Sequence, residues 1–144
     1  MRILIDADGC PVVDIAVRIA KGNNVRCIIL CDTSHYFERD GAQTITVSKG
    51  TDSVDFALVN MVQVKDIVIT QDYGLAAMCL ARGAIPINQN GMIYNDDNIG
   101  GLLEQRAMAA KIRQSGGRLK GHAKRTDAQN IAFGLALSNL LGEN

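Results

Sequence analysis

Five aspartates of this chain stand where a folded protein could use them together. Asp6 and Asp8 lie one residue apart after the apolar run Ile3-Leu4-Ile5. Asp52 and Asp55 follow the turn Ser48-Lys49-Gly50-Thr51, and Asp72 follows Ile67-Val68-Ile69-Thr70. Carboxylates crowded together repel and raise one another's pKa unless a cation neutralises them. Oxygen-only donors suit Mg²⁺ or Mn²⁺. Such an ion activates a water and stabilises the charge that builds on phosphorus during in-line displacement. Metal-dependent phosphodiester hydrolysis of RNA or DNA is the reaction these parts fit. Asp6, Asp8, Asp55 and Asp72 are its catalytic candidates and metal ligands, and Asp52 joins them as a candidate ligand.

Each acid also has a plainer reading. Asp6 or Asp8 could cap the helix that follows them, and Asp52 and Asp55 could simply favour a helix dipole. Asp72 could cap its own helix, but it follows a buried strand so directly that the catalytic role is put first. Asp32 reads as structural or peripheral, and Asp127 as a capping residue. His35 could act as a general acid, although a loop histidine is commonly just solvated. Asp14, Glu38, Asp40, Asp66 and Glu143 read as surface charge.

The elements that must position these acids alternate strand and helix. Residues 2–5 form a short apolar run without strict alternation, which fits a central parallel strand covered on both faces. Pro11 suits the first turn of a helix over 12–21, since its missing N–H has no helical partner there anyway. Gly22 ends that helix. Strands follow at 25–30, 44–47, 67–70 and 84–87, with helices between them at about 52–62 and from after Gln71-Asp72-Tyr73-Gly74 to Arg82. Residues 92–94 could add a small strand. Asn95 or Asp96 is expected to cap a helix reaching about Gln114. Thr126-Asp127-Ala128-Gln129 is a capping box, with Thr at the N-cap and Gln three residues on, opening a last helix to about Leu141. This alternation predicts an α/β fold, a single-domain parallel-sheet three-layer α/β/α sandwich. In such sheets the reactive crevice lies beyond the carboxyl ends of the strands. All five aspartates fall at that rim.

Composition agrees with one domain that can bury a core: 144 residues, 47% hydrophobic and 21% charged. No apolar run approaches the ~20 residues that cross a bilayer, and Asp6 and Asp8 interrupt the start too early for a signal peptide, which points to the cytoplasm. Cys10, Cys27, Cys31 and Cys79 lack the paired spacings of a zinc site and read as free thiols. Formal net charge is zero but unevenly spread. Seven basic residues lie from Arg106 to Arg125, and no acid lies between Glu104 and Asp127. That basic, Gly-rich segment suits a polyanionic partner, and Arg106, Arg113, Lys120, Lys124 and Arg125 are the candidate substrate contacts.

Two stretches carry a family resemblance. Ile5-Asp6-Ala7-Asp8-Gly9-Cys10-Pro11-Val12 and Asp66-Ile67-Val68-Ile69-Thr70-Gln71-Asp72-Tyr73-Gly74-Leu75-Ala76 resemble the YaiI/YqxD family of uncharacterised proteins. Gly83-Ala84, residues 88–94, Leu102-Leu103 and Arg106 look like its later motifs, so the resemblance covers nearly the whole chain. That family is similar in fold to PIN-like nucleases, whose acids at strand ends bind divalent metal and cut RNA or DNA. The resemblance implies Asp6 as first ligand, Asp55 or Asp52 as the helix acid and Asp72 as the acid after the fourth strand. Where many PIN-like nucleases carry a further acid after the fifth strand, this chain has Asn88, a neutral and weaker ligand for a second ion.

Two other readings compete. Ile3-Leu4-Ile5-Asp6-Ala7-Asp8-Gly9 is very close to the nucleophile motif of haloacid-dehalogenase-like phosphatases, with Asp6 attacking phosphorus and Asp8 as general acid. Thr70 would pass for the second motif of that superfamily. The next requirement, a Lys or Arg before a later acidic pair, is met only by Arg82, late in its helix. The other reading is a non-catalytic nucleic-acid-binding module whose acids hold a structural cation.

Overall fold

The computed structural model describes residues 1–50, 53–117 and 123–142. The elements run β1 (Arg2–Asp6), α1 (Val13–Gly22), β2 (Arg26–Asp32), β3 (Gln43–Val47), α2 (Ser53–Met61), β4 (Ile67–Ile69), α3 (Tyr73–Ala81), β5 (Ile85–Ile87), α4 (Ile99–Gln114) and α5 (Asp127–Gly142). The five strands form one parallel sheet in the order β3-β2-β1-β4-β5. β1 is central, as its uninterrupted apolar run requires: Ile3, Leu4 and Ile5 have no exposed surface.

Alternation along β1 sends side chains to opposite layers. Ile3 and Ile5 pack with Val13, Ala16 and Val17 of α1 and with Phe133 and Leu137 of α5. Leu4 packs with Leu58 of α2 and Leu75 and Cys79 of α3 on the other face. The result is the expected three-layer α/β/α sandwich. α4 lies outside it, packed against α3, and buries none of its residues.

Several local expectations are corrected. Pro11 is not in α1, which starts at Val13 with Val12 at its N-cap and no side-chain cap. The turn just ahead of Pro11, residues 7–10, is closed by the Cys10 N–H donating to the Ala7 carbonyl at 3.0 Å. α4 begins at Ile99, because Asn95 spends its side-chain oxygen on the N–H groups of Asp97 and Asn98 in a turn ahead of the helix. Residues 92–94 contribute only an isolated antiparallel bridge, Ile87 to Ile93. The capping box holds as expected: the Thr126 N–H donates to Gln129 Oε1 at 2.9 Å, and the Gln129 N–H to Thr126 Oγ1 at 3.3 Å.

Asp66 is the clearest correction. It is not surface charge but 1% exposed. Its carboxylate accepts from the Arg2 N–H at 3.1 Å, from Arg2 Nη2 at 2.6 Å and from the Gln63 N–H at 2.8 Å. Arg2 Nη2 also donates to the Met61 carbonyl at 2.8 Å. This part-buried pair ties the start of β1 to the residue before β4, at the end of the sheet away from the aspartate rim. Among the described residues, no helix is long and apolar enough to cross a membrane.

Candidate metal-binding active site

The strand order reverses at β1, so β1 and β4 diverge into their crossovers on opposite sides and leave a crevice beyond their carboxyl ends. Asp6 is the last residue of β1. Thr70, the residue after β4, is 1% exposed and ties the two junctions together. Its hydroxyl donates to Asp6 Oδ2 at 2.8 Å and accepts from the Asp72 N–H at 3.0 Å. The Thr70 carbonyl accepts from the hydroxyl of buried Tyr94 at 3.1 Å, and the Tyr94 ring meets Tyr73 edge-on at 6.0 Å. Gln71 Nε2 donates to the Gly9 carbonyl at 2.8 Å, clipping the loop after β1 to the loop after β4. Gly9 adopts φ +70°, which a residue with a Cβ resists.

Asp72 does cap α3, its Oδ1 accepting from the N–H groups of Gly74 at 2.8 Å and Leu75 at 3.2 Å. The same oxygen takes Arg106 Nη1 at 3.2 Å. Capping and a place in the cleft are therefore not alternatives. Gly74 permits this contact, because a Cβ there would fall 2.8 Å from Arg106 Nη1.

The cleft has a volume of about 930 Å³ and is lined by Asp6, Asp8, Asp32, Asp55 and Asp72, with Arg106 and Arg113 on its wall. Burial pushes the Asp6 carboxyl up to about 6; the Thr70 hydrogen bond opposes this, and the charges of Asp72 and Asp8 add to it. Asp8 is also raised, first by burial and then by Asp32, against the lowering effect of His35. Its Oδ1 is buried and has no hydrogen-bond partner. Burial would raise Asp32 as well, but the Ser34 N–H and His35 outweigh it and hold Asp32 below the usual carboxylate range. A divalent cation fits this donor set, since it would neutralise carboxylates crowded into one cleft, of which Asp6 and Asp8 are already raised.

The expected residues are brought together unevenly. Asp6, Asp8, Asp55 and Asp72 share the cleft. Among the described residues, though, the His, Cys, Asp and Glu side chains whose donor atoms all lie within 4.8 Å of one another are Asp8, Asp32 and His35. Asp32 is thus a cleft residue, not a peripheral one, and His35 packs against carboxylates instead of standing alone in solvent. Asp52 and Lys120 lie outside the described residues. Lys124 is exposed and does not line the cleft. Arg125 is engaged elsewhere: its guanidinium donates to Asn130 Oδ1 and Asn90 Oδ1, each at 2.7 Å, and to the Gln89 carbonyl. It clamps the turn after β5 to α5. Asn88 spends its Oδ1 on the N–H groups of Asn90 and Met92, both at 2.9 Å, and so builds that same turn. The cysteines are free, and burial pushes Cys10 up to about 11 and Cys27 and Cys79 up to about 12, so these three are inert thiols at neutral pH.

Tyr94 is not among the candidate site residues, and Thr70 is named only as the second motif of the phosphatase reading. A Thr-x-Asp spacing directly after a buried apolar run is the signal that points to Thr70. Tyr94 has no comparable local signal, because its partner lies 24 residues earlier.

Residues 4–143 match the model of the family described as "Uncharacterized BCR, YaiI/YqxD family". A protein of Exiguobacterium sibiricum named "UPF0178 protein" is 50% identical over 143 residues, covering 99% of this chain and 98% of its own. Proteins with the same name from Ruminiclostridium cellulolyticum and Alkaliphilus oremlandii are 50% identical over 137 residues and 44% identical over 144, covering 95% and 100% of this chain and 90% and 93% of their own. No solved structure matches the chain. The Asp6-to-Val12 and Asp66-to-Ala76 stretches that build the crevice are thus set in a chain that belongs to the YaiI/YqxD family.

Proposed function

We propose that this protein is a metal-dependent phosphodiesterase acting on RNA or DNA, in the manner of PIN-like nucleases. The observation that carries the reading is the Thr70 hydroxyl joining Asp6 to the backbone of Asp72 at the sheet's switch point. Asp6 and Asp72 would hold Mg²⁺ or Mn²⁺, with Asp8 and Asp55 beside them. Such an ion supplies an activated water and neutralises charge on the transferring phosphorus.

The protein's own groups have separable tasks. Thr70 holds Asp6 by Oδ2, so the carboxylate keeps one orientation and leaves Oδ1 for a ligand. The helix cap fixes Asp72 in the same way through its own Oδ1. Arg106 sits on Asp72 and can exchange that carboxylate for a phosphate oxygen. Arg113, on the same face of α4 two turns further on, extends the positive wall along a polyanion.

The test is incubation of labelled single- and double-stranded RNA and DNA with Mn²⁺, Mg²⁺ or EDTA, alongside Asp6→Asn and Asp72→Asn proteins purified identically. Metal-dependent cleavage lost in both variants supports the reading. Turnover of small phosphate monoesters with beryllium fluoride trapped at Asp6 would replace it with a phosphatase. Salt-dependent binding with no cleavage under any metal would leave a binding module.

A further inference from the structure

Away from the cleft, the layer of α1 and α5 turns apolar side chains to solvent. Phe133 and Leu137 of α5 point into the core and have no exposed surface. Ile131 and Leu135, one turn apart on the outer side of the same helix, are each 62% exposed. Ile15 and Ile19 of α1 stand beside them, only partly buried. A groove of about 320 Å³ runs between the two helices. Gly134 forms its floor: a Cβ there would meet Ile19 Cδ1 at 3.7 Å and Ile15 Cγ2 at 3.9 Å. Large aliphatic side chains left together in water forgo the stabilisation of burial, and contiguous patches of them mark interaction surfaces.

The charges on this face point to what covers it. Asp14 and Lys21 of α1 are paired within the chain, to Arg39 and to Asp40. Among the described residues, the side chains of Arg18 and Asp127 have no ion-pair or hydrogen-bond partner. Asp127 opens α5, two turns before Gly134 and on the same side as Ile131. Arg18 lies on the groove between Ile15 and Ile19, level with Gly134. The free acid and the free cation are therefore offset by about 10 Å along the groove. A second copy, turned about a twofold axis perpendicular to α5 near Ile131, sets each Asp127 against the other's Arg18 and the aliphatic stripe against itself. A face complementary to itself in both charge and apolar pattern selects a second copy over an unrelated partner.

We infer that the outer face of α1 and α5 is the contact surface of a homodimer, in which the α5 helices of two copies lie antiparallel and Arg18 of each meets Asp127 of the other. α5 has 16 residues and is about 24 Å long. With α1 beside it, the face is about 20 Å wide, so two copies cover about 1,000 Å² in all. That is the size of a weak association that depends on concentration, not of an obligate dimer. Among the described residues, none of α1 or α5 lines the aspartate cleft. The dimer leaves both clefts open, and it stands whether or not the protein cuts nucleic acid.

The experiment is sedimentation velocity of the full chain, in EDTA and without nucleic acid, from about 5 µM to about 500 µM. The wild type is expected to pass from monomer towards dimer across that range. Ile131→Glu and Leu135→Glu should each weaken association about a hundredfold, because the twofold axis applies every substitution twice. Both side chains stand largely in solvent, so the monomer keeps its fold, and circular dichroism checks this. Arg18→Glu should weaken the dimer about threefold or more by setting like charges together, and Arg18→Glu combined with Asp127→Lys should restore it. A wild type that stays monomeric at the highest concentration would overturn the inference and leave the groove to a different partner. A dimer indifferent to Ile131→Glu would overturn it too, as would a double variant no tighter than Arg18→Glu alone.

Discussion

The two ends of the β1/β4 pair handle charge in opposite ways. The strands run in a fixed register, Ile3 beside Ile67 through Ile5 beside Ile69. At the amino end, Asp66 meets Arg2; at the carboxyl end, Asp6 meets Thr70 with Asp72 close behind. The amino-end carboxylate has an arginine and two backbone N–H groups, so its burial is compensated. The carboxyl-end carboxylate has one hydroxyl for its burial, which with two negative neighbours pushes its pKa up to about 6. One end spends charge on holding the strands together. The other keeps charge uncompensated, which is unfavourable for folding and is what a cation site requires.

The contrast can be broken at either end. The largest effect falls on activity: Asp6→Asn or Asp72→Asn should reduce Mn²⁺-dependent cleavage at least about a hundredfold, since several kcal/mol of charge stabilisation is lost and each 1.36 kcal/mol is a factor of ten. Circular dichroism of both variants should match the wild type. At the other end, Asp66→Ala leaves the part-buried Arg2 without its partner and should destabilise the protein by about 2–3 kcal/mol in urea unfolding. A loss under about 1 kcal/mol would mean that the pair is solvated.

Asp6→Asn should act in the reverse direction on stability. The folded state holds the Asp6 proton more tightly than the unfolded chain, with a pKa of about 6 against 3.8. That contribution is therefore fully present below about pH 4 and is lost as pH rises through about 6. In EDTA at pH 8 the ionised group is a burden, and Asp6→Asn should stabilise the metal-free protein by about 1–3 kcal/mol, with solvent screening setting the lower figure. At pH 4 the gain should vanish. Equal stability of the two proteins across this range would show that Asp6 is neither desolvated nor crowded.

The smallest effects separate two arginines of the basic segment. Arg106→Ala should leave stability within about 0.5 kcal/mol and flatten the salt dependence of nucleic-acid binding by about one unit of slope. Arg125→Ala should cost about 1–2 kcal/mol of stability by releasing the turn after β5 from α5, with little change in that slope. The reverse pattern would move the binding surface off the cleft wall.

The fold is legible in the residues where the signal is local. Ile3-Leu4-Ile5 and Ile67-Val68-Ile69 are buried as short apolar runs imply, and the Thr126/Gln129 box holds because its two partners sit three residues apart. Asp66 was misread because nothing beside it indicates that Arg2, 64 residues earlier, is its partner. The approach of His35 to Asp32 is illegible for a related reason: a loop has no periodicity to show which way a ring returns. Arg125 and Arg106 look alike as members of one basic run, and only the turn at Asn90 distinguishes the clamp from the cleft residue. Asp72 was set as cap against ligand, whereas the fold uses one oxygen for the cap and keeps the residue in the cleft.

Convergence of Asp6 and Asp72 on one ion is the claim on which the rest depends. Crystals soaked in Mn²⁺ and measured for anomalous scattering test it most directly. The account predicts a peak in contact with carboxylate oxygens of both residues, absent from Asp6→Asn crystals. Full Mn²⁺ occupancy elsewhere, with Asp72 still paired to Arg106 and no density beside Asp6, would contradict it.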